Sequence, residues 1–141
     1  MANIVPVPNK DGKVWMCVDF RDLKKVYPKD DFPLPHINVI VDSTTSSAMY
    51  SFMDGFSRYN QIMMAVVDKI KTAFITKWGI YYYKVMPFGL KNAEETYQRA
   101  TIALFHDMMH KEVEVYVDDM MVKSETREGH FKALHKFLAR L

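Results

Sequence analysis

Val113-Glu114-Val115-Tyr116-Val117-Asp118-Asp119-Met120-Met121-Val122-Lys123 is the stretch on which the fold turns. Val113, Val115 and Val117 alternate with Glu112, Glu114 and Tyr116, and a period of two predicts a half-buried strand. Met120 to Lys123 returns as its partner, so the pair is a hairpin with two adjacent carboxylates at its tip. Neighbouring residues of a strand point to opposite faces, so one aspartate can face a site while the other braces it. Aspartate is also an ordinary turn residue, because its side chain bonds the local backbone. Taken alone, the tip reads more readily as a plain turn.

A second carboxylate changes that weighting. Met49 to Met53 is a short apolar run ending in Asp54-Gly55, the pattern of a buried strand that delivers an acid at its end. If the two strands are neighbours in one sheet, Asp54, Asp118 and Asp119 converge. Like charges so close repel unless cations neutralise them, so the cluster predicts Mg²⁺ or Mn²⁺. Two such ions, about 3.5–4 Å apart, stabilise the attacking and leaving oxygens of an in-line phosphoryl displacement.

Around these acids the chain alternates between strands and helices. Ile4 to Pro8 reads as an edge strand, since proline cannot donate to a central ladder, and Val14 to Phe20 as a second strand beyond the turn at Lys10–Lys13. Residues 1–35 are expected to be extended structure with turns, the proline-rich part from Tyr27 to Pro35 being an irregular crossing segment. A helix is predicted after Pro35 with Ile37, Ile40 and Val41 on one face. Thr72–Thr76 and Ile80–Val85 predict a hairpin with glycine at its turn. Ala93, Tyr97, Ala100, Leu104 and Met108 recur at helical spacing, predicting a helix from Asn92 to about His110; Phe131, Leu134 and Phe137 mark a last helix. This order favours an α+β sheet with helices on one face.

Composition excludes several classes. The chain has 141 residues, of which 49% are hydrophobic and 26% charged, the balance of a folded domain and not of a disordered tail. A net charge of +2 is not the strongly basic footprint of a sequence-independent DNA coater. The single Cys17 excludes an internal disulfide framework and is expected to be a buried inert thiol. Neither a membrane span nor a signal-peptide pattern is visible, which predicts a soluble intracellular protein without membrane partners.

Five motifs in series resemble a reverse transcriptase of the gypsy-type LTR retrotransposons, particularly those of plants. They are Val18-Asp19-Phe20-Arg21-Asp22-Leu23, Asp30-Asp31-Phe32-Pro33-Leu34-Pro35, Met53 to Ile62, Met86-Pro87-Phe88-Gly89-Leu90-Lys91-Asn92-Ala93, and Tyr116-Val117-Asp118-Asp119. The resemblance spans nearly the whole chain. It implies the fingers and palm of a right-hand polymerase: an antiparallel palm sheet backed by helices, without a thumb. Residues 1–141 would be a single domain fragment, about 1–35 belonging to the fingers and about 36–141 mainly to the palm.

The resemblance also implies roles. Asp54, Asp118 and Asp119 would be the catalytic carboxylates, holding two Mg²⁺ or Mn²⁺ ions together with the backbone carbonyl of Gly55. Tyr59 would gate against a ribose 2′-hydroxyl, and Arg58, Phe88 and Gly89 would line the incoming dNTP. Tyr116 and Val117 would lie beside the primer terminus. Read from charge alone, Lys10, Lys13 and Arg21 offer a basic surface for an RNA or DNA template, while the interspersed Asp11, Asp19 and Asp22 suit an ordinary solvated face nearly as well. Thumb and RNase H regions would come from a longer polyprotein. Three positions depart from the pattern: Trp15 stands where relatives carry a triphosphate-gripping arginine, Arg58 where they carry a small residue, and Glu94 where they carry proline or a small residue. An indole cannot replace the charge or the forked donors of a guanidinium. A retrotransposon-derived protein that keeps the fold without polymerase activity is the alternative reading.

Other candidates read as structural. His106 and His110 lie four apart on the predicted long helix, but Asp107-Met108-Met109 between them lacks a metalloprotease glutamate, so a solvated helix face is expected. His36, His130 and His135 have no evident nucleophile. The methionine clusters at 63–64, 108–109 and 120–121 read as core filling.

Overall fold

The computed structural model describes every residue except Phe56, Ser57 and Asp118, and of Arg58 the backbone alone. In chain order the elements are β1 (Asn3–Pro8), β2 (Val14–Asp19), α1 (Arg21–Val26), α2 (Ile37–Thr44), β3 (Met49–Asp54), a 3₁₀ turn (Arg58–Gln61), α3 (Val66–Lys71), β4 (Phe74–Thr76), β5 (Gly79–Tyr81), α4 (Ala93–Phe105), β6 (Val113–Tyr116), β7 (Asp119–Ser124) and α5 (Arg127–Leu138). They form two compact units: residues 1–30 with 57–93, and residues 31–56 with 94–141.

The first unit is built from two antiparallel hairpins. β1 pairs with β2, Asn3 opposite Asp19 and Pro8 opposite Val14. A two-stranded ribbon leaves an outer edge that needs no donors, so Pro6 and Pro8 are tolerated there. Gly12 takes φ of 74° in the connecting turn, a conformation open to glycine without steric cost. β4 pairs with β5, and Thr76 opposite Gly79 leaves Lys77 and Trp78 as the loop; the glycine opens β5 instead of sitting at the turn. Ala2 bridges to Phe74, tying the two hairpins together. The helices α1 and α3 interrupt stretches without helical periodicity, because six residues are too few for a 3.6-residue repeat to register.

The second unit holds the hydrophobic core. Its sheet has the order β3-β7-β6, all antiparallel. Val113, Val115, Met120 and Val122 pack against Phe105 of α4 and Ala133 and Phe137 of α5, with Met53, Met109 and Leu134 at the margin. The rings of Phe105 and Phe137 stack at 4.7 Å. α5 starts where the Thr126 side chain accepts from the Gly129 amide at 3.1 Å, an N-cap that satisfies an orphan donor. Near its end Arg140 forks onto Asp107, and this hydrogen bonding holds the Asp107 carboxyl well below the usual carboxylate range.

Several expectations need correction here. α4 ends at Phe105, and His110 sits in a left-handed turn with φ of 62°, so His106 and His110 do not share a helix. Cys17 is exposed, because the β1–β2 ribbon has no layer over that face. On α2, Ile37 and Val41 are exposed and Ile40 half-buried. Met108, Met120 and Met121 are buried, whereas Met63 is exposed.

Candidate active site

The β3–β7 ladder runs from Met49 opposite Ser124 to Asp54 opposite Asp119. Tyr116 of β6 faces Asp119 from the other side. Directly opposite residues of an antiparallel sheet share a face, so Asp54, Asp119 and Tyr116 project to one side. Their neighbours Met53, Val115 and Met120 turn to the core on the opposite side. Alternation along three strands therefore separates the face that carries the acids, exposed at their end of the sheet and buried around Glu114 and Lys123, from the packed one.

Asp54 and Asp119 are both exposed. Like charges directly opposite each other destabilise a sheet, and among the described residues no ion pair relieves these two. Exposed, uncompensated carboxylate oxygens are the hard donors that Mg²⁺ or Mn²⁺ takes up alongside its retained waters. The donor set fits such an ion. Asp118, the third predicted acid, lies outside the described residues, and among the described ones no group of three metal-ligating side chains is present. Gly55 follows Asp54 at the strand end, half-buried.

Val117 has φ of 52°. A β-branched side chain in the left-handed region is a backbone outlier, costing on the order of 1–3 kcal/mol. The preceding strand is braced from behind: Gln98 of α4, fully buried, donates through Nε2 to the Val115 carbonyl at 3.4 Å. Nothing in the spacing of Gln98 singles it out, since it lies on the face of α4 that any core-facing residue would use.

Glu114 is buried, contrary to what simple alternation on a half-buried strand implies. Ser43 near the end of α2 reaches that part of the sheet, and its hydroxyl donates to Glu114 Oε1 at 2.8 Å. Lys123 Nζ donates to the same oxygen at 2.8 Å and to the Ser43 carbonyl at 2.7 Å. His110 Nδ1 lies 3.0 Å from Glu114 Oε2. Glu114 and Lys123 expose 2% and 4% of their side chains, so this ion pair is desolvated and held by hydrogen bonds at both ends.

The first unit carries the other predicted residues. Tyr59, 5% exposed, meets Phe88 edge-on with centroids 5.0 Å apart, while Phe88 itself is exposed. Gly89 follows with φ of 87°. The loop is stapled to the Tyr27–Asp30 segment: Asn92 accepts from the Asp30 amide at 3.2 Å and donates to the Pro28 carbonyl at 3.0 Å, and Lys91 donates to the Tyr27 carbonyl at 2.9 Å. Arg58 opens the 3₁₀ turn, its side chain outside the description. Lys10, Lys13 and Glu94 are exposed, and so is Trp15, opposite Val7. Arg21 instead forks onto Asp19 through Nε at 2.9 Å and Nη2 at 2.6 Å, and this bonding lowers the Asp19 carboxyl to about 2. Its charge already has a partner.

Residues 7–141 match the family described as reverse transcriptase (RNA-dependent DNA polymerase). The chain is 38% identical over 136 residues to the retrovirus-related Pol polyprotein from transposon opus of Drosophila melanogaster, covering 96% of this chain and 14% of that protein. It is 34% identical over 122 residues to an RNA-directed DNA polymerase homolog of Oenothera berteroana, covering 84% of this chain and 86% of that one. The foamy viral protease–reverse transcriptase in complex with RNA/DNA hybrid superposes with a TM-score of 0.83 at 24% identity, over 99% of this chain and 19% of that one. That likeness shows the fold, the fingers and palm of a polymerase, as the five motifs imply. The chain spans about one-seventh of the opus polyprotein. Among the described residues no helix is long and apolar enough to cross a membrane.

Proposed function

This chain belongs to the reverse transcriptase family, and on that premise we propose that it is the fingers and palm part of an RNA-directed DNA polymerase, extending a primer with dNTPs on an RNA or DNA template. The observation that carries the reading is the register that sets Asp54 opposite Asp119 on an exposed sheet face. Asp54, Asp119 and Asp118, with the Gly55 carbonyl, would hold two Mg²⁺ or Mn²⁺ ions. When bound, such a pair supplies charge stabilisation to the attacking and leaving oxygens of an in-line displacement.

The chain's own residues do the positioning. Tyr59, with Phe88 packed edge-on against it, is a ring with little freedom, suited to exclude a 2′-hydroxyl by shape. Phe88 and Gly89 present an exposed aromatic face and a backbone without a side chain to the nucleotide, which Arg58 would also line. Tyr116 and the strained Val117 hold the primer end beside the acids. Lys10 and Lys13, both exposed, offer charge to template phosphates, with Arg21 a weaker contributor because Asp19 neutralises it. Thumb and RNase H regions would come from a longer polyprotein.

Primer extension on an RNA template with Mg²⁺ and with Mn²⁺ tests the proposal, against Asp54→Asn and Asp119→Asn controls. Synthesis above those controls is expected. Its absence at high protein concentration overturns the reading and leaves a folded remnant. Trp15→Arg with Arg58→Gly then tells whether only the nucleotide clamp has failed, because restored synthesis requires a sound carboxylate site.

A further inference from the structure

His130 is 4% exposed, yet both ring nitrogens are engaged. Nε2 lies 2.8 Å from Ser51 Oγ on β3, and Nδ1 lies 3.1 Å from Ser124 Oγ on β7. The Ser124 hydroxyl has one proton and donates it to the Thr126 carbonyl at 2.9 Å. Ser124 Oγ must therefore accept from the ring, which assigns the proton to Nδ1 and makes Nε2 the acceptor of the Ser51 hydroxyl. One side chain of α5 thus reads both strands of the β3–β7 pair, at positions two pairs apart on the ladder.

That pair needs such a peg. A one-residue slip would turn the apolar set of β3 to the wrong face, so hydrophobic patterning already rejects it. A two-residue slip preserves every inward and outward assignment, and the backbone ladder re-forms. It would carry Asp54 about 6.6–6.8 Å along the sheet, away from Asp119. It would also carry Ser51 out of reach of His130, leaving buried polar groups unpaired. We propose that His130 is a positioning residue: by bonding Ser51 and Ser124 it selects the register in which Asp54 and Asp119 stand opposite, although it touches neither acid. The claim rests on the metal-binding role proposed for those carboxylates.

Two readouts test it in a Cys17→Ser background. Phe52→Cys with Met121→Cys reports the native register by disulfide trapping, because Phe52 pairs with Met121. Tyr50→Cys with Met121→Cys reports the two-residue slip. Mn²⁺ affinity is measured in parallel by electron paramagnetic resonance, with Asp54→Asn as baseline. Ser51→Ala and His130→Phe are expected to move trapping from the first pair to the second and to weaken Mn²⁺ binding at least tenfold, while Ser51→Thr, which keeps the hydroxyl, restores both. Unchanged trapping in Ser51→Ala overturns the proposal, as does shifted trapping with Mn²⁺ affinity within twofold of the parent. Weakened affinity without a shift in trapping overturns it too. A His130→Phe chain that fails to fold leaves the decision to Ser51→Ala. If the parent binds no Mn²⁺ above the Asp54→Asn baseline, the polymerase reading falls, and trapping alone decides the register claim.

Discussion

The two units of the chain differ in how they hold their functional residues. In the unit of residues 31–56 and 94–141, the acids stand at the strand ends of a sheet whose other face is packed by Phe105, Met108 and Phe137. In the unit of residues 1–30 and 57–93, hairpins leave Val14, Trp15, Met16, Ile80 and Tyr82 exposed, and the loop bearing Phe88 and Gly89 is held by the Tyr59–Phe88 contact and by hydrogen bonds from Lys91 and Asn92. If the carboxylates share cations as proposed, they need sub-ångström placement, which a dry core provides. The proposed role of the other unit, receiving nucleotide and template, needs accessible side chains, and burying them would defeat it.

The contrast can be broken by mutation. Phe137→Ala removes a fully buried ring and is expected to cost about 4 kcal/mol in urea unfolding. A loss below about 1 kcal/mol would mean that the packed unit is no denser than the other. Lys123→Met leaves the Glu114 carboxylate buried without its cation and is expected to cost about 3 kcal/mol, much of it recovered when Glu114→Gln is added. Equal losses in the single and double variants would show that the ion pair contributes only its packing volume.

Smaller effects sharpen the comparison. Val117→Gly relieves the left-handed strain and is expected to raise stability by about 1 kcal/mol, or roughly 3 °C in Tm, while loosening the turn that presents the acids. A fall in Tm would show that the strain is absent. In the open unit, the Tyr27 hydroxyl donates to Asp68 at 2.8 Å, and this bond, with that from Lys71, lowers the Asp68 carboxyl. A lowered folded value stabilises above the ordinary carboxylate range and is lost as pH falls through the folded value. Tyr27→Phe should therefore cost about 1 kcal/mol at neutral pH, with the difference from the parent shrinking below about pH 4. A pH-independent difference would assign the effect to packing. Trp15→Arg should change stability by less than about 0.5 kcal/mol, as befits an exposed ribbon.

Much of the packed unit is readable from local pattern. The alternation in Val113–Tyr116, the return from Met120 and the run ending at Asp54 identify three strands that do pair, and the helical spacing of Leu134 and Phe137 locates α5. Burial was legible only where one element's own pattern decides it. Glu114 looks solvated on its strand and is buried where Ser43, Lys123 and His110 close around it; Cys17 looks buried in an apolar run and is exposed. The end of α4 is hidden in the sequence for a related reason, since Met108 remains in the core after the helix has stopped and its spacing mimics another turn.

Residue type and spacing alone determined which strands end in acids and which family the motifs resemble, because those properties are local to the chain. Which acid faces which, the burial of the Glu114–Lys123 pair and the grip of His130 on Ser51 and Ser124 were decided only in three dimensions. Side chains alternate with a period of two, so a strand's own pattern constrains its face but not its offset along a partner. Offset is a relation between distant segments, and only their packing sets it.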